Sequence, residues 1–123
     1  MTELSNVHLK RIYEPVDDRD GARILVDRVW PRGVSKERAA LTAWLHDIAP
    51  SADLRHWFDH DVSKWPSFQH LYSQELAHEH ASVEALMNYV RKGDPVTLLY
   101  AAHDEKHNNA VALYQYLETV GPW

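Results

Sequence analysis

Val7, Leu9 and Tyr13 fall on alternate positions, with Ile12 breaking the parity, and this predicts a strand over Asn6 to Tyr13. Pro15 and the acidic residues Asp17, Asp18 and Asp20 end it. After Gly21, the unbroken run Ile24-Leu25-Val26 predicts a second strand over Ala22 to Val29, buried on both faces as strands of parallel sheets are. The interval between the two is short for a helical crossover, so a one-turn connection and an antiparallel pairing both remain open. The clearest strand is Val96 to Ala101, an apolar run rich in β-formers introduced by the turn Asp94-Pro95.

The middle of the chain changes period. Ser35 is placed to cap a short helical turn through Lys36, Glu37 and Arg38, and the stretch Leu41 to Ile48 has no clear period. Ser51 caps a helix ending near Asp61, with Leu54, Trp57 and Phe58 on one face. Another helix runs from about Ser63, with Pro66 in its first turn and Phe68, Leu71, Tyr72, Glu75 and Leu76 inward. Ser82 caps the next, with Val83, Leu86, Met87 and Val90 apolar and Gly93 as its stop. Beyond the polar connection His103 to Asn109, Ala110, Leu113, Tyr114 and Leu117 mark a last helix that Gly121-Pro122 ends. The expected architecture is α/β: one small domain over residues 1–123, a mostly parallel sheet flanked by helices, with a helical middle section.

Composition narrows the chemistry. A chain of 123 residues, 45% apolar and 25% charged, suits a single ordinary globular domain. With no cysteine there are no disulfides, thiolate metal sites or cysteine nucleophiles. The stretch Met1 to Arg11 has no apolar segment of signal-peptide length and no run reaches a membrane span, so a cytoplasmic location without membrane association is expected. The net charge is −5, with the acidic excess beyond residue 40. Without a Lys/Arg run, the chain lacks the electrostatic footprint of a nucleic-acid binder.

Ligands of open α/β sheets bind outside the carboxyl ends of the strands, and two segments fit that description. Asp27-Arg28-Val29-Trp30-Pro31-Arg32-Gly33 follows the second strand, and its two arginines offer planar forks to a phosphate or carboxylate, with Trp30 as a stacking face. The plain alternative pairs Arg28 or Arg32 with Asp27, Asp17 or Asp20. His103-Asp104-Glu105-Lys106-His107-Asn108-Asn109 follows the clearest strand; there Asp104 would cap the last helix, placing His107 and Asn108 in its first turn. If the two strands are parallel neighbours, both loops open on one rim.

A third element, Arg55-His56-Trp57-Phe58-Asp59-His60-Asp61, puts two histidines one turn apart. That spacing suits a metal, but nine histidines make such pairs common, and His60 reads better as an acid–base group or polar bridge. The aromatic series Trp57, Phe58, Trp65, Phe68 and Tyr72 reads as core. Glu75, beside Tyr72 and Leu76, is a carboxylate on an inner face and a candidate to orient Arg28 or Arg32. No glycine-rich phosphate loop, nucleophile elbow or His-Glu-x-x-His motif is present.

Nearly the whole chain resembles the YeaO-like group of domain-of-unknown-function family 488, a family of small bacterial proteins. The likeness rests on the segment from Leu25 to Gly33, Ala49-Pro-Ser51, the segment from Leu54 to Asp61, the Phe68, Tyr72, Glu75-Leu76 series, and Leu98 to Ala101 leading into Asp104 to Ala110. It implies an α/β domain in which Arg28, Trp30, Arg32, His60, Tyr72, Glu75, Asp104, His107 and Asn108 match the family pattern, whereas His56 and His103 do not. Wider relatives resemble one another in a Cys-His-Arg element where this chain has His107-Asn108-Asn109, so no thiol mechanism carries over. The family supplies no reaction and no cofactor. The combined expectation is a protein that binds, with or without transforming, a small anionic molecule: Arg28, Trp30, Arg32, Glu75 and Asn108 in binding roles, and His60, His107 and Asp104 in proton-handling ones. Two other classes stay in view. One is a non-catalytic metal- or haem-binding protein using histidine with Tyr72 or Tyr100, and the other is an interaction module with exposed tryptophans.

Overall fold

The computed structural model describes residues 4–120. Four parallel strands form one sheet: β1 (Val7–Arg11), β2 (Ala22–Leu25), β3 (Ala43–Trp44) and β4 (Val96–Tyr100), in the order β1-β4-β2-β3. Five α-helices accompany them: α1 (Lys36–Ala39), α2 (Ala52–Phe58), α3 (Trp65–Ala77), α4 (His80–Arg91) and α5 (Asn109–Val120). No helix among the described residues is long and apolar enough to cross a membrane.

The short link between β1 and β2 is explained by what lies between them. Both run parallel to β4, which fills the slot separating them, so residues 12–21 return over a short 3-10 turn without a crossover helix. The antiparallel option is thereby excluded. At the start of β2, Gly21 adopts φ +63°, and a Cβ there would lie 2.1 Å from the Pro95 carbonyl oxygen, so only glycine lets the two strands enter this close together.

The period of two along the strands separates two cores. Ile24, Val26, Val96, Leu98 and Tyr100 face α2 through α5 and pack with Phe58, Phe68, Tyr72, Leu86 and Leu113. Leu25 and Leu99 face the other way, onto Ile12, Val34 and Ala39, the smaller layer that α1 covers. The same small face holds a buried ion cluster in which Asp20 accepts from Lys10 at 3.0 Å and from Arg23 at 2.5 Å. Asp17 pairs with Arg19. Those carboxylates are therefore occupied by cations other than Arg28 and Arg32.

The predicted helices form with shifts that follow from local chemistry. Ser51 caps α2 by accepting from the Leu54 N–H at 3.1 Å. The helix stops at Phe58 because Asp59 and His60 both take left-handed backbone, φ 46° and 55°. Leu54 and Phe58 are its buried pair, while Trp57 is 41% exposed instead of inward. Leu71 on α3 is likewise exposed. α4 begins at His80, before Ser82, with no side-chain cap. The stretch without a clear period contains β3, an edge strand of two residues, followed by a 3-10 turn at His46–Ile48. The stop expected at Gly121-Pro122 lies outside the described residues.

Candidate functional site

β2 and β4 are parallel neighbours, with Ile24 beside Leu98 and Leu25 beside Leu99, and the ladder continues as the Val26 N–H donates to the Leu99 carbonyl at 3.1 Å. The chain therefore leaves both strands at one rim, and the two polar loops open together there. Between them and α2 lies a cavity of about 740 Å³. Asp27, Arg28, Ala49, Pro50, Arg55, His56, Phe58, Asp59, His60, Phe68, His103, Asp104, His107, Asn108 and Asn109 are on its walls. This size is within the usual range of small-molecule sites.

At the strand ends, Asp27 ties the rim together. Its carboxylate accepts from the Ala101 N–H at 3.0 Å, just past β4, and from the Asn109 amide at 3.0 Å, the first residue of α5. Burial raises the Asp27 carboxyl above its ordinary value, opposed by the Asn109 and Ala101 hydrogen bonds and by the charge of Arg55. Arg55 itself has no hydrogen bond or ion pair from its guanidinium among the described residues, and its Nε is buried without an acceptor. Leaving such a donor unsatisfied costs about 1–3 kcal/mol. Arg28 is partly engaged: it donates to the Ala49 and Pro50 carbonyls at 3.1 and 3.3 Å, and its nearest carboxylate is Asp47 at 4.0 Å.

The third wall carries a carboxylate–imidazole pair. Asp104 accepts from the Lys106 and His107 N–H groups at 2.9 and 3.0 Å and lies 2.9 Å from His107 Nδ1. The Lys106 amide and the His107 ring hold the Asp104 carboxyl below its ordinary value. With Asp104 ionised, Nδ1 is the donor of this pair. The His107 ring also meets Trp65 edge-on, centroids 5.3 Å apart. Asp104 does not cap the last helix. Asn108 does, accepting from the Val111 N–H at 2.9 Å, so α5 starts at Asn109 and His107 precedes it. Asn108 is 3% exposed and its amide donates to the Asp104 carbonyl.

Arg28, His60, Asp104, His107 and Asn108 thus share one cavity. Trp30, Arg32 and Glu75 are elsewhere. The Trp30 indole donates to the Val34 carbonyl at 2.6 Å and packs on the small core. Arg32 is exposed, and its backbone carbonyl accepts from the Tyr13 hydroxyl. Glu75 does not orient an arginine: it accepts from the Ser51 N–H at 2.8 Å and from the Ser51 hydroxyl at 2.6 Å, on a second groove with Trp57 and Leu71 whose wall Arg28 also forms. The sequence reasoning missed Asp27, Arg55 and Asn109 as cavity residues and set aside His56 and His103, which line the cavity too. Asp27 and Asn109 each sit next to a named candidate, and Arg55 opens the helix turn before His60, but no spacing rule separates them from ordinary surface residues.

Among the described residues no group of three or more His, Cys, Asp or Glu is arranged to hold a metal ion. The Tyr72 hydroxyl is buried and donates to the Ile48 carbonyl at 2.6 Å.

Residues 6–120 match the model of a family described as "Inactive DUF488-N3 subclade". Among curated proteins, the uncharacterized protein YeaO of Escherichia coli is 39% identical over 115 residues, spanning 94% of this chain and 99% of that protein. The uncharacterized protein Rv3073c of Mycobacterium tuberculosis and Mb3100c of Mycobacterium bovis are each 34% identical over 117 residues, 95% of this chain and 98% of theirs. No solved structure matches the chain.

Proposed function

The chain belongs to the YeaO-like DUF488 family, within the subclade described as inactive, and on that premise we propose that it binds a small anionic molecule in the β2–β4 rim cavity without transforming it. One observation carries the reading: Arg55, on the cavity wall, makes no guanidinium hydrogen bond or ion pair among the described residues, and its Nε is buried without an acceptor. An arginine held at a cost in stability beside a cavity is what a phosphate or carboxylate site needs before its ligand arrives. Arg28 is the second cation of the site, and its bonds to two carbonyls pre-orient it. His107, fixed by Asp104, and His60, carried by the left-handed turn after α2, supply further hydrogen-bonding groups at the mouth. The description of the matched subclade as inactive favours binding over turnover.

The test is a thermal-shift panel of phosphorylated and carboxylated metabolites. A ligand at 100 times its Kd adds about 2.7 kcal/mol of stability. At least one member should stabilise the wild type and lose that effect with Arg28→Ala or Arg55→Met. A panel in which nothing stabilises the wild type more than these variants overturns the reading.

A further inference from the structure

The groove between α2 and α3 measures about 740 Å³ and has Leu54, Trp57, Leu71 and Leu76 among its walls. Two contacts fix how the helices lie. Ser51, the cap of α2, is hydrogen-bonded to Glu75 near the end of α3, and Phe58, the last residue of α2, stacks on Phe68 near the start of α3 with centroids 4.4 Å apart. The helices are therefore antiparallel, and the groove has unlike ends. Trp57 lies one turn nearer the α2–α3 connection than Asp53, and Leu71 one turn nearer it than Glu75. That end is apolar and open, with Trp57 41% and Leu71 38% exposed, while Asp53, Glu75 and Glu79 gather at the other.

The ionisable groups on the walls are Asp53, Glu75 and Glu79 against Arg28 and His78, so carboxylates are in excess even with His78 protonated. Arg28 is turned to the Ala49 and Pro50 carbonyls, and His78 Nδ1 lies 2.9 Å from the Gln74 carbonyl. Glu75 is held by Ser51, whereas the Asp53 and Glu79 carboxylates make no hydrogen bond or ion pair among the described residues. At the apolar end Lys64 Nζ sits over the Trp57 ring, 5.0 Å from its centroid, and donates to the Trp57 carbonyl at 2.7 Å. A second cation is thus repelled from the tryptophan end and drawn to the acidic one.

We propose that this groove docks a segment of another protein that presents a large apolar side chain and an arginine or lysine about 6 Å apart, the apolar group at Trp57 and Leu71 and the base at Asp53 and Glu79. The spacing is one helical turn, the separation of Leu71 from Glu75 and of Trp57 from Asp53. A helix supplies it at positions four apart and an extended strand at positions two apart. Small-molecule sites enclose most of their ligand, but here both apolar anchors stand exposed, and a protein segment laid along the groove covers them together.

Selection of random phage-displayed peptides on the immobilised full chain tests this. Enriched sequences should pair leucine, phenylalanine or tryptophan with arginine or lysine at a spacing of two or four, and synthetic copies should bind in fluorescence anisotropy. Leu71→Ser, and separately the double variant Asp53→Asn with Glu79→Gln, should each weaken that binding at least about fivefold. Replacing the peptide's basic residue by glutamine should weaken binding to the wild type as much, so the comparison survives a variant that fails to fold. No enrichment, enrichment without a basic residue, or binding that survives both protein variants overturns the proposal. A chain that self-associates and loses its dimer on Leu71→Ser puts a second copy in the groove and overturns it as well.

Discussion

Asn109 holds Asp27 in place across the rim: its amide donates to Asp27 Oδ1 at 3.0 Å and to the Val26 carbonyl at 3.1 Å, fastening the first residue of α5 to the exit of β2. The cavity shape depends on this clasp, because the other Asp27 oxygen accepts from the Ala101 N–H at the exit of β4. Asn109→Ala leaves both acceptors short of a donor. The expected result is a loss of about 1–3 kcal/mol in urea denaturation, with a weaker response to any cavity ligand.

Asp27 also gives the protein a directional pH signature. Its carboxyl is raised in the folded state, chiefly by burial, so the unfolded chain ionises first as the pH rises. Stability relative to Asp27→Asn should therefore fall as the pH climbs through the ordinary carboxylate value of about 3.9 and level off above the raised folded value. Asp104 acts in the opposite sense. Its folded carboxyl is lowered, so its contribution is present above the ordinary value and is lost as the pH falls through the lowered one. Unfolding free energies of wild type, Asp27→Asn and Asp104→Asn between pH 3 and 7 check both slopes.

Glu75 serves the scaffold instead of the cavity. It receives both the Ser51 N–H and the Ser51 hydroxyl, and the same Ser51 oxygen caps α2. Glu75→Ala should cost about 1–2 kcal/mol through the frayed start of α2. At saturating ligand the stabilisation of the folded variant should match that of the wild type, measured by thermal shift. Loss of ligand response from an otherwise well-folded variant would place Glu75 in the binding machinery.

The fold was legible where the hydrophobic pattern is unambiguous. Ile24-Leu25-Val26 and Val96 to Ala101 read as buried strands, and the strands that form there are neighbours in the sheet, which brings both polar loops to one rim. β3 escaped notice because two residues on a sheet edge leave no periodic trace. Trp57 looked inward because Leu54 and Phe58 alone already satisfy the period, and a third apolar residue on so short a helix does not fix the face. Asp104 and Asn108 are both good helix caps, and only the backbone geometry selects Asn108. Arg55 was invisible for a different reason: an arginine on a helix ordinarily points to water, and no pattern reports a missing partner.

The proposed anion site requires that Arg55 be retained for a ligand and not for the fold. Arg55→Met keeps much of the side chain's length and apolar contact while removing the unsatisfied buried donor. Urea denaturation of the ligand-free variant, followed by the same measurement with the best-binding anion, tests this directly. The expected result is a ligand-free stability equal to the wild type or higher by about 1 kcal/mol, with the ligand-induced gain abolished. A ligand-free variant less stable than wild type by more than about 1 kcal/mol, with its ligand response intact, would contradict the account.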